Sequence, residues 1–165
     1  MNTTLRQALL FALTLPSLII ANSAFAAPEN QMIVTPNGSL PSLHAPAEHF
    51  TGKVRLDPLF LQPKAPQRTT GAYVTFEPGA RSDWHTHPVG QTLVITAGTG
   101  WVQEWGGVRH TVHPGDVIHC PPGVKHWHGA SAENAMTHLA LQENNAEGKN
   151  VNWMEKVSDE VYHQG

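Results

Sequence analysis

Apolar and polar residues alternate in short segments along much of the chain after residue 50. The clearest case covers residues 70–77, where Ala72, Val74 and Phe76 alternate with Tyr, Thr and Glu. A period of two predicts a β-strand with one buried face. Further strands are predicted at 53–60, 91–96, 101–104, 108–112, 117–120, 136–143 and 151–154.

Glycine and proline separate these segments. The chain has 14 Gly and 13 Pro, which disfavour long helices and suit short strands joined by tight turns. Gly-Gly at 106–107 predicts a β-hairpin, a turn-rich connection is expected over 58–66, and Ser158 is expected to cap one final helical turn. A length of 165 residues suits one hydrophobic core. Together these features predict a single all-β domain, a double-sheet jelly roll or small barrel.

The first 26 residues have the pattern of a secretory signal peptide. Arg6 precedes an apolar run over 8–21, and Ala24 and Ala26 place small residues where a signal peptidase cleaves. Cleavage is predicted after Ala26, which implies a secreted or periplasmic protein with no membrane attachment after processing. An anchoring helix is the alternative, although the run is short and contains Pro16.

Residues 27–50 are rich in proline and lack periodicity, which predicts an extended N-terminal arm before a domain at 51–165. The apolar residues 32–34 and Phe50 are its expected anchors on the domain or on a neighbouring subunit.

The charge balance and the histidine content narrow the possible functions. Ten Lys and Arg against 13 Asp and Glu give a net charge of -3, so no basic surface is available for nucleic acid. The 11 His residues instead point to metal binding or acid–base chemistry. Cys120 is the single cysteine, so it has no partner within the chain, and it is expected to be a small buried hydrophobe.

Four residues are candidates for one metal site. His85 and His87 flank one residue, so on an extended strand both imidazoles point to the same face. Gln91 follows after a Pro-Val-Gly break, and His126 lies 39 residues beyond His87. Three imidazoles and an amide oxygen suit Mn, Fe, Co, Ni or Zn better than Ca or Mg.

The spacing of these residues resembles the two motifs of the cupin superfamily. Residues 79–98 read Gly-X5-His-X-His-X3-Gln-X6-Gly, with Gln91 where the first motif normally has Glu. Residues 115–130 read Gly-X5-Pro-X-Gly-X2-His and end in Ala130, where the second motif often has Asn. The resemblance implies a cupin-type double-stranded β-helix that holds a metal through His85, His87, Gln91 and His126. A barrel without metal is the alternative that Gln91 leaves open.

Replacing Glu by Gln has a chemical consequence. Four neutral ligands leave the charge of a divalent ion uncompensated, which favours an anionic substrate oxygen or a cyanide-like leaving group. The site is therefore biased towards Lewis-acid chemistry.

Further polar residues are expected beside the metal. His128 follows His126 by two residues, and His138, Ala140 and Gln142 share one face of their strand. Periodicity does not say which face is internal. If it is this one, His138 and Gln142 enter a small pocket, where a neutral imidazole can act as a general base. The other pocket residues would then be Ala72, Val74 and Ser82.

Among cupins, the pattern is similar to the small manganese-dependent hydroxynitrile lyases of bacteria. This resemblance implies a cyanohydrin lyase that uses Mn, with His128, His138 and Gln142 as catalytic residues and a small molecule as substrate. A cupin dioxygenase of the quercetinase type and a non-catalytic periplasmic sugar- or metal-binding barrel are the alternatives. Because cupin barrels commonly associate through arms and sheet edges, a homodimer or homotetramer is expected.

Overall fold

The computed structural model describes residues 31–164, so the predicted signal peptide lies outside the described residues. The chain forms two units, Met1–Val34 and Thr35–Gly165. Of the first unit, residues 31–34 are described, and they are exposed and without regular structure. Within residues 31–164, no helix has the length and apolar character needed to cross a membrane.

The second unit contains thirteen strands and one short helix in its described part. The strands are β1 (Leu43–His44), β2 (Phe50–Thr51), β3 (Val54–Phe60), β4 (Thr69–Phe76), β5 (Arg81–Ser82), β6 (His85–Thr86), β7 (Gln91–Gly98), β8 (Gly100–Glu104), β9 (Arg109–Val112), β10 (Val117–Cys120), β11 (His126–Ala130), β12 (Met136–Glu143) and β13 (Asn152–Trp153). The helix α1 covers Asp159–His163, and the Ser158 hydroxyl caps it by accepting the Val161 N–H.

The strands form two antiparallel sheets. The first has the order β1-β3-β4-β12-β7-β10. The second has the order β13-β6-β11-β5-β2, with β8 paired to β11 and β9 to β8. Neighbours in these orders are often distant in sequence, as expected for a jelly roll. The prediction of an all-β double-sheet fold is confirmed.

The central strands follow the predicted alternation. Strands β10 and β12 have the predicted bounds, and along β12 Met136, His138 and Ala140 are buried while the residues between them are partly exposed. The predicted connection over 58–66 starts too early, because β3 continues to Phe60. Strand β1 pairs only with Arg55 and Leu56, so Pro58 lies at a free edge beside a register shift, where proline is tolerated.

Part of the predicted arm belongs to the sheets. Strand β1 pairs with β3, and Phe50 in β2 packs against the main core. The strand β11 was not predicted, and all five of its residues are buried, so buried and exposed positions do not alternate along it. Its two faces contact different parts of the domain, which explains the absence of an exposed face.

Two hydrophobic clusters stabilise the domain. The larger lies between the sheets and includes Phe76, Leu93, Ile95 and Met136. The smaller holds the C-terminal segment and consists of Trp84, Trp127, Val157 and Tyr162. The Tyr162 hydroxyl donates to the Ala130 carbonyl, and buried Arg81 donates to the Val157 carbonyl and to Asp159. Cys120 is buried and free, as predicted, and burial raises its pKa to about 11.

One glycine of the first motif is required by a close approach. Gly98 has a φ of 76°, a conformation that other residues rarely adopt. A Cβ atom at this position would lie 1.8 Å from the Ala135 carbonyl oxygen. The turn between β7 and β8 therefore has room for glycine alone.

Candidate metal centre and active site

A cavity of about 100 Å³ lies between the two sheets and contains most of the predicted site residues. The first sheet contributes Gln91 from β7 and His138 and Gln142 from β12. The second sheet contributes His85 from β6 and His128 from β11. The full lining is Phe50, Leu56, Val74, His85, His87, Gln91, His128, His138, Ala140, Gln142, Val151 and Trp153.

Strand pairing brings the two sequence motifs together. In the β6–β11 pair, His85 lies directly opposite His126, and their ring centroids are 4.3 Å apart. The ring of His87 lies 5.0 Å from that of His85 and 5.6 Å from that of His126. The backbone carbonyl of His87 also accepts the N–H of Gly123 in the second motif. The three predicted imidazole ligands thus converge in the folded chain.

Backbone carbonyls fix the orientation of these three rings. Nδ1 of His85 bonds to the Asp83 carbonyl at 2.9 Å, that of His87 to the Asn150 carbonyl at 2.6 Å, and that of His126 to the Val124 carbonyl at 2.9 Å. A carbonyl only accepts hydrogen bonds, so each Nδ1 carries the proton and each Nε2 keeps its lone pair. This is the arrangement that metal-binding histidines normally show.

Gln91 completes the donor set with its oxygen. Its amide nitrogen donates to Oε1 of Gln142 at 2.9 Å, so its own Oε1 faces His126. That oxygen lies 3.2 Å from Nε2 of His126. Because the His126 proton is already on Nδ1, two lone pairs face each other across this distance. A cation between them would resolve this conflict.

Burial keeps the site uncharged. Burial lowers the pKa of His85 well below the usual value and that of His87 to about 4. It also lowers the pKa of His126. Nε2 of His87 is buried and makes no hydrogen bond. No carboxylate is present among the described residues that line the cavity. An unsatisfied buried acceptor and a neutral donor set both fit a divalent transition metal.

His128 and His138 form a second pair in the same cavity. Nδ1 of His128 lies 3.1 Å from Nε2 of His138, and burial lowers both pKa values, that of His138 to about 3. The ligand atoms of His85, His126 and His128 lie within 4.8 Å of one another, and His87 is not part of this group, so by distance alone His128 is the third histidine ligand. However, its Nδ1 bonds to an imidazole instead of a carbonyl, which distinguishes it from the other three rings.

The buried face of β12 is the polar one that carries His138 and Gln142. Of the predicted pocket residues, Val74 lines the cavity. Ala72 and Ser82 are buried but do not line it, and the Ser82 hydroxyl accepts the backbone N–H of His128 instead.

The sequence did not indicate four other residues that line the cavity, because they lie outside the two motifs and reach the cavity only through the folding of distant segments. Trp153 is the clearest example, since β13 pairs with β6 and places its ring 5.0 Å from that of His85. The four residues are Phe50, Leu56, Val151 and Trp153.

Two antiparallel sheets that enclose three convergent histidines and a glutamine define a cupin barrel with a candidate metal centre. Residues 72–141 match the family described as Cupin domain. A relative from Granulicella tundricola, named (R)-mandelonitrile lyase, is 58% identical over 127 residues, covering 77% of this chain and 95% of that protein. The chain therefore belongs to the cupin superfamily, and the prediction of an enzyme of the lyase class is confirmed.

Solved structures agree with this assignment. A cupin-like protein from Thermotoga maritima is 34% identical, with a TM-score of 0.68 over 79% of this chain and 95% of that one. The polyketide cyclase RemF from Streptomyces resistomycificus is 16% identical, with a TM-score of 0.59 over 80% of this chain and 91% of that one. The second likeness shows the fold alone, because cupins with the same barrel carry different chemistry.

Proposed function

We propose that this chain is a metal-dependent hydroxynitrile lyase that cleaves a cyanohydrin into an aldehyde and hydrogen cyanide. One observation carries the proposal: a separate imidazole pair, His128 and His138, lies beside an uncharged donor set, with the ring of His128 5.2 Å from that of His85. The name of the Granulicella relative supports the same reaction.

The residues that would hold the cation are His85, His87 and His126 through Nε2, and Gln91 through Oε1. We propose Mn²⁺, and such a donor set also suits Fe, Co, Ni or Zn. A bound divalent cation would supply Lewis-acid polarisation of the substrate oxygen or nitrile. Because none of the four donors is charged, the attraction for an anionic group is not reduced by the ligands.

His128 and His138 are assigned to proton transfer. In the neutral pair, one ring nitrogen accepts the hydroxyl proton of the cyanohydrin as a general base. The carbonyl double bond then forms, and the bond to the nitrile carbon breaks with its electron pair remaining on cyanide. The imidazole pair returns the proton to cyanide, which leaves as hydrogen cyanide. The contact of 3.1 Å between the rings allows them to share the proton.

Gln142 and the apolar lining are assigned to substrate binding. Oε1 of Gln142 accepts a hydrogen bond from Gln91, so its amide N–H groups are the donors that can meet the developing cyanide. Val74, Leu56 and Trp153 offer apolar surface to the organic group of the substrate.

A direct assay tests the reaction. Protein loaded with Mn²⁺ is given racemic mandelonitrile, and benzaldehyde formation is followed by absorbance. We expect a rate above that of buffer, which is lost on chelation and restored by adding the ion. Absence of any metal-dependent rate would refute the proposal, and oxygen consumption with a flavonol would instead favour the dioxygenase alternative.

A variant tests the proton-transfer assignment. His138→Phe keeps an aromatic ring beside Phe76 but removes both nitrogens. We expect kcat to fall at least about a hundredfold, the lower end of the contribution of a general base, with unchanged metal content. His119→Ala, an exposed position on β10, should keep the full rate. A fully active His138→Phe protein would show that the assignment is wrong.

We also propose that residues 1–26 direct export and that the mature protein is a periplasmic or secreted homodimer or homotetramer. Strand β10 forms an edge of the first sheet, and its Val117 is 64% exposed, which supports association at this edge. Sedimentation at micromolar concentration and N-terminal sequencing of the exported protein test these points. A monomer mass, or an uncleaved N-terminus, would contradict them.

A further inference from the structure

Thr70 joins two segments that both lead to the metal centre. It lies at the start of β4 and is only 3% exposed. Its hydroxyl donates to the backbone carbonyl of Gln142 at 3.1 Å and accepts the side-chain amide of Asn150 at 3.3 Å. Both hydrogen-bonding roles of this buried hydroxyl are therefore used.

Each of the two partners contacts a different candidate ligand. The backbone carbonyl of Asn150 accepts Nδ1–H of His87 at 2.6 Å. Oε1 of Gln142 accepts the amide of Gln91 at 2.9 Å. These hydrogen bonds, joined through the covalent frames of Asn150 and Gln142, link His87 to Gln91 by way of Thr70.

We propose that Thr70 and the side chain of Asn150 are positioning residues that fix the orientation of His87 and Gln91 towards the cation. This inference rests on the metal centre in the proposed function. Asn150 is outside any strand, so its carbonyl is not held by a sheet, and its amide is its link to β4. Strand β4 lies between β3 and β12, which makes Thr70 a rigid anchor for that link. Without the hydrogen bond between Thr70 and the Asn150 amide, the Asn150 carbonyl can move away from His87 and the imidazole ring of His87 can turn.

Metal affinity is the appropriate measurement, because it requires no substrate. Metal-free protein is titrated with Mn²⁺, and the free aqueous ion is followed by electron paramagnetic resonance. Thr70→Val removes the hydroxyl at nearly constant shape, and we expect Mn²⁺ affinity to fall about tenfold, the lower end of the range for residues that orient metal ligands. Thr70→Ser keeps the hydroxyl and should bind within about twofold of the parent protein.

A matched control separates positioning from general stabilisation. Thr75 lies on the opposite face of the same strand, and its hydroxyl contacts that of Thr137 on β12 at 3.0 Å. Thr75→Val therefore removes an interstrand hydroxyl contact with no connection to the cavity. It should lower the melting temperature of the metal-free protein much as Thr70→Val does, while leaving Mn²⁺ affinity within about twofold.

A double variant tests the connection itself. Asn150→Ala keeps the backbone carbonyl but loses the amide, and it should weaken Mn²⁺ binding as Thr70→Val does. If one chain of hydrogen bonds is responsible, the double variant binds no more weakly than either single one. The inference would be overturned if Mn²⁺ affinity were unchanged in Thr70→Val and Asn150→Ala. It would also be overturned if Thr75→Val lost as much affinity as Thr70→Val, or if the affinity losses of the two single variants were additive in the double variant. A failed mandelonitrile assay would leave these affinities, and so the inference, unaffected.

Discussion

Removal of the proposed cation should destabilise the folded protein, because the donor set is unsatisfied without it. Nε2 of His87 is buried without a partner, and an unsatisfied buried acceptor costs about 1–3 kcal/mol. A cation present at about 100 times its Kd adds about 2.7 kcal/mol to the free energy of unfolding. In a domain of this size, each kcal/mol changes Tm by roughly 4 °C. We therefore expect chelation to lower Tm by roughly 10 °C.

Scanning calorimetry can measure this difference in matched samples. The parent protein is compared after exhaustive chelation and after reloading with Mn²⁺ at a fixed free concentration. In His126→Ala, which lacks a central donor, the same concentration should produce almost no increase in Tm. His119→Ala, at an exposed position, should show the full increase. Equal Tm values for chelated and loaded parent protein, or a full increase in His126→Ala, would refute the reasoning about the donor set.

Three further substitutions, one of them a control, test the packing of the barrel by urea denaturation. Tyr162→Phe removes the donor to the buried Ala130 carbonyl and should lower the free energy of unfolding by about 1–2 kcal/mol. An unchanged free energy of unfolding would show that this hydrogen bond does not stabilise the domain. Gly98→Ala should cost about 3 kcal/mol or more, because a left-handed φ is combined with a collision at the Ala135 carbonyl. Gly79→Ala, with a similar φ and open space around it, should cost only about 1–2 kcal/mol, and equal losses would contradict the role of the collision.

The sequence alone determined the strands with one buried face and the local part of the site. Alternation located β4 and β12 because each has a core side and a more exposed side. Side chains two residues apart on an extended strand point to the same face, which placed His85 and His87 together. The two motifs identified Gln91 and His126 as their partners. These features depend on spacing within one segment or on a recurrent motif, so they can be read without coordinates.

Only the tertiary structure decided the features that depend on partners distant in the chain. Strand β11 has no exposed face because the barrel interior covers one side of it and the C-terminal segment covers the other, so alternation of buried and exposed positions could not predict it. The internal face of β12 is the one that packs towards the second sheet and places His138 and Ala140 at the cavity. The Asn150 carbonyl at His87 and the Thr70 hydroxyl are brought to the site by chain folding across 63 and 72 residues. Local pattern carries no information on such hydrogen bonds, because their geometry is set by how the two sheets close on each other.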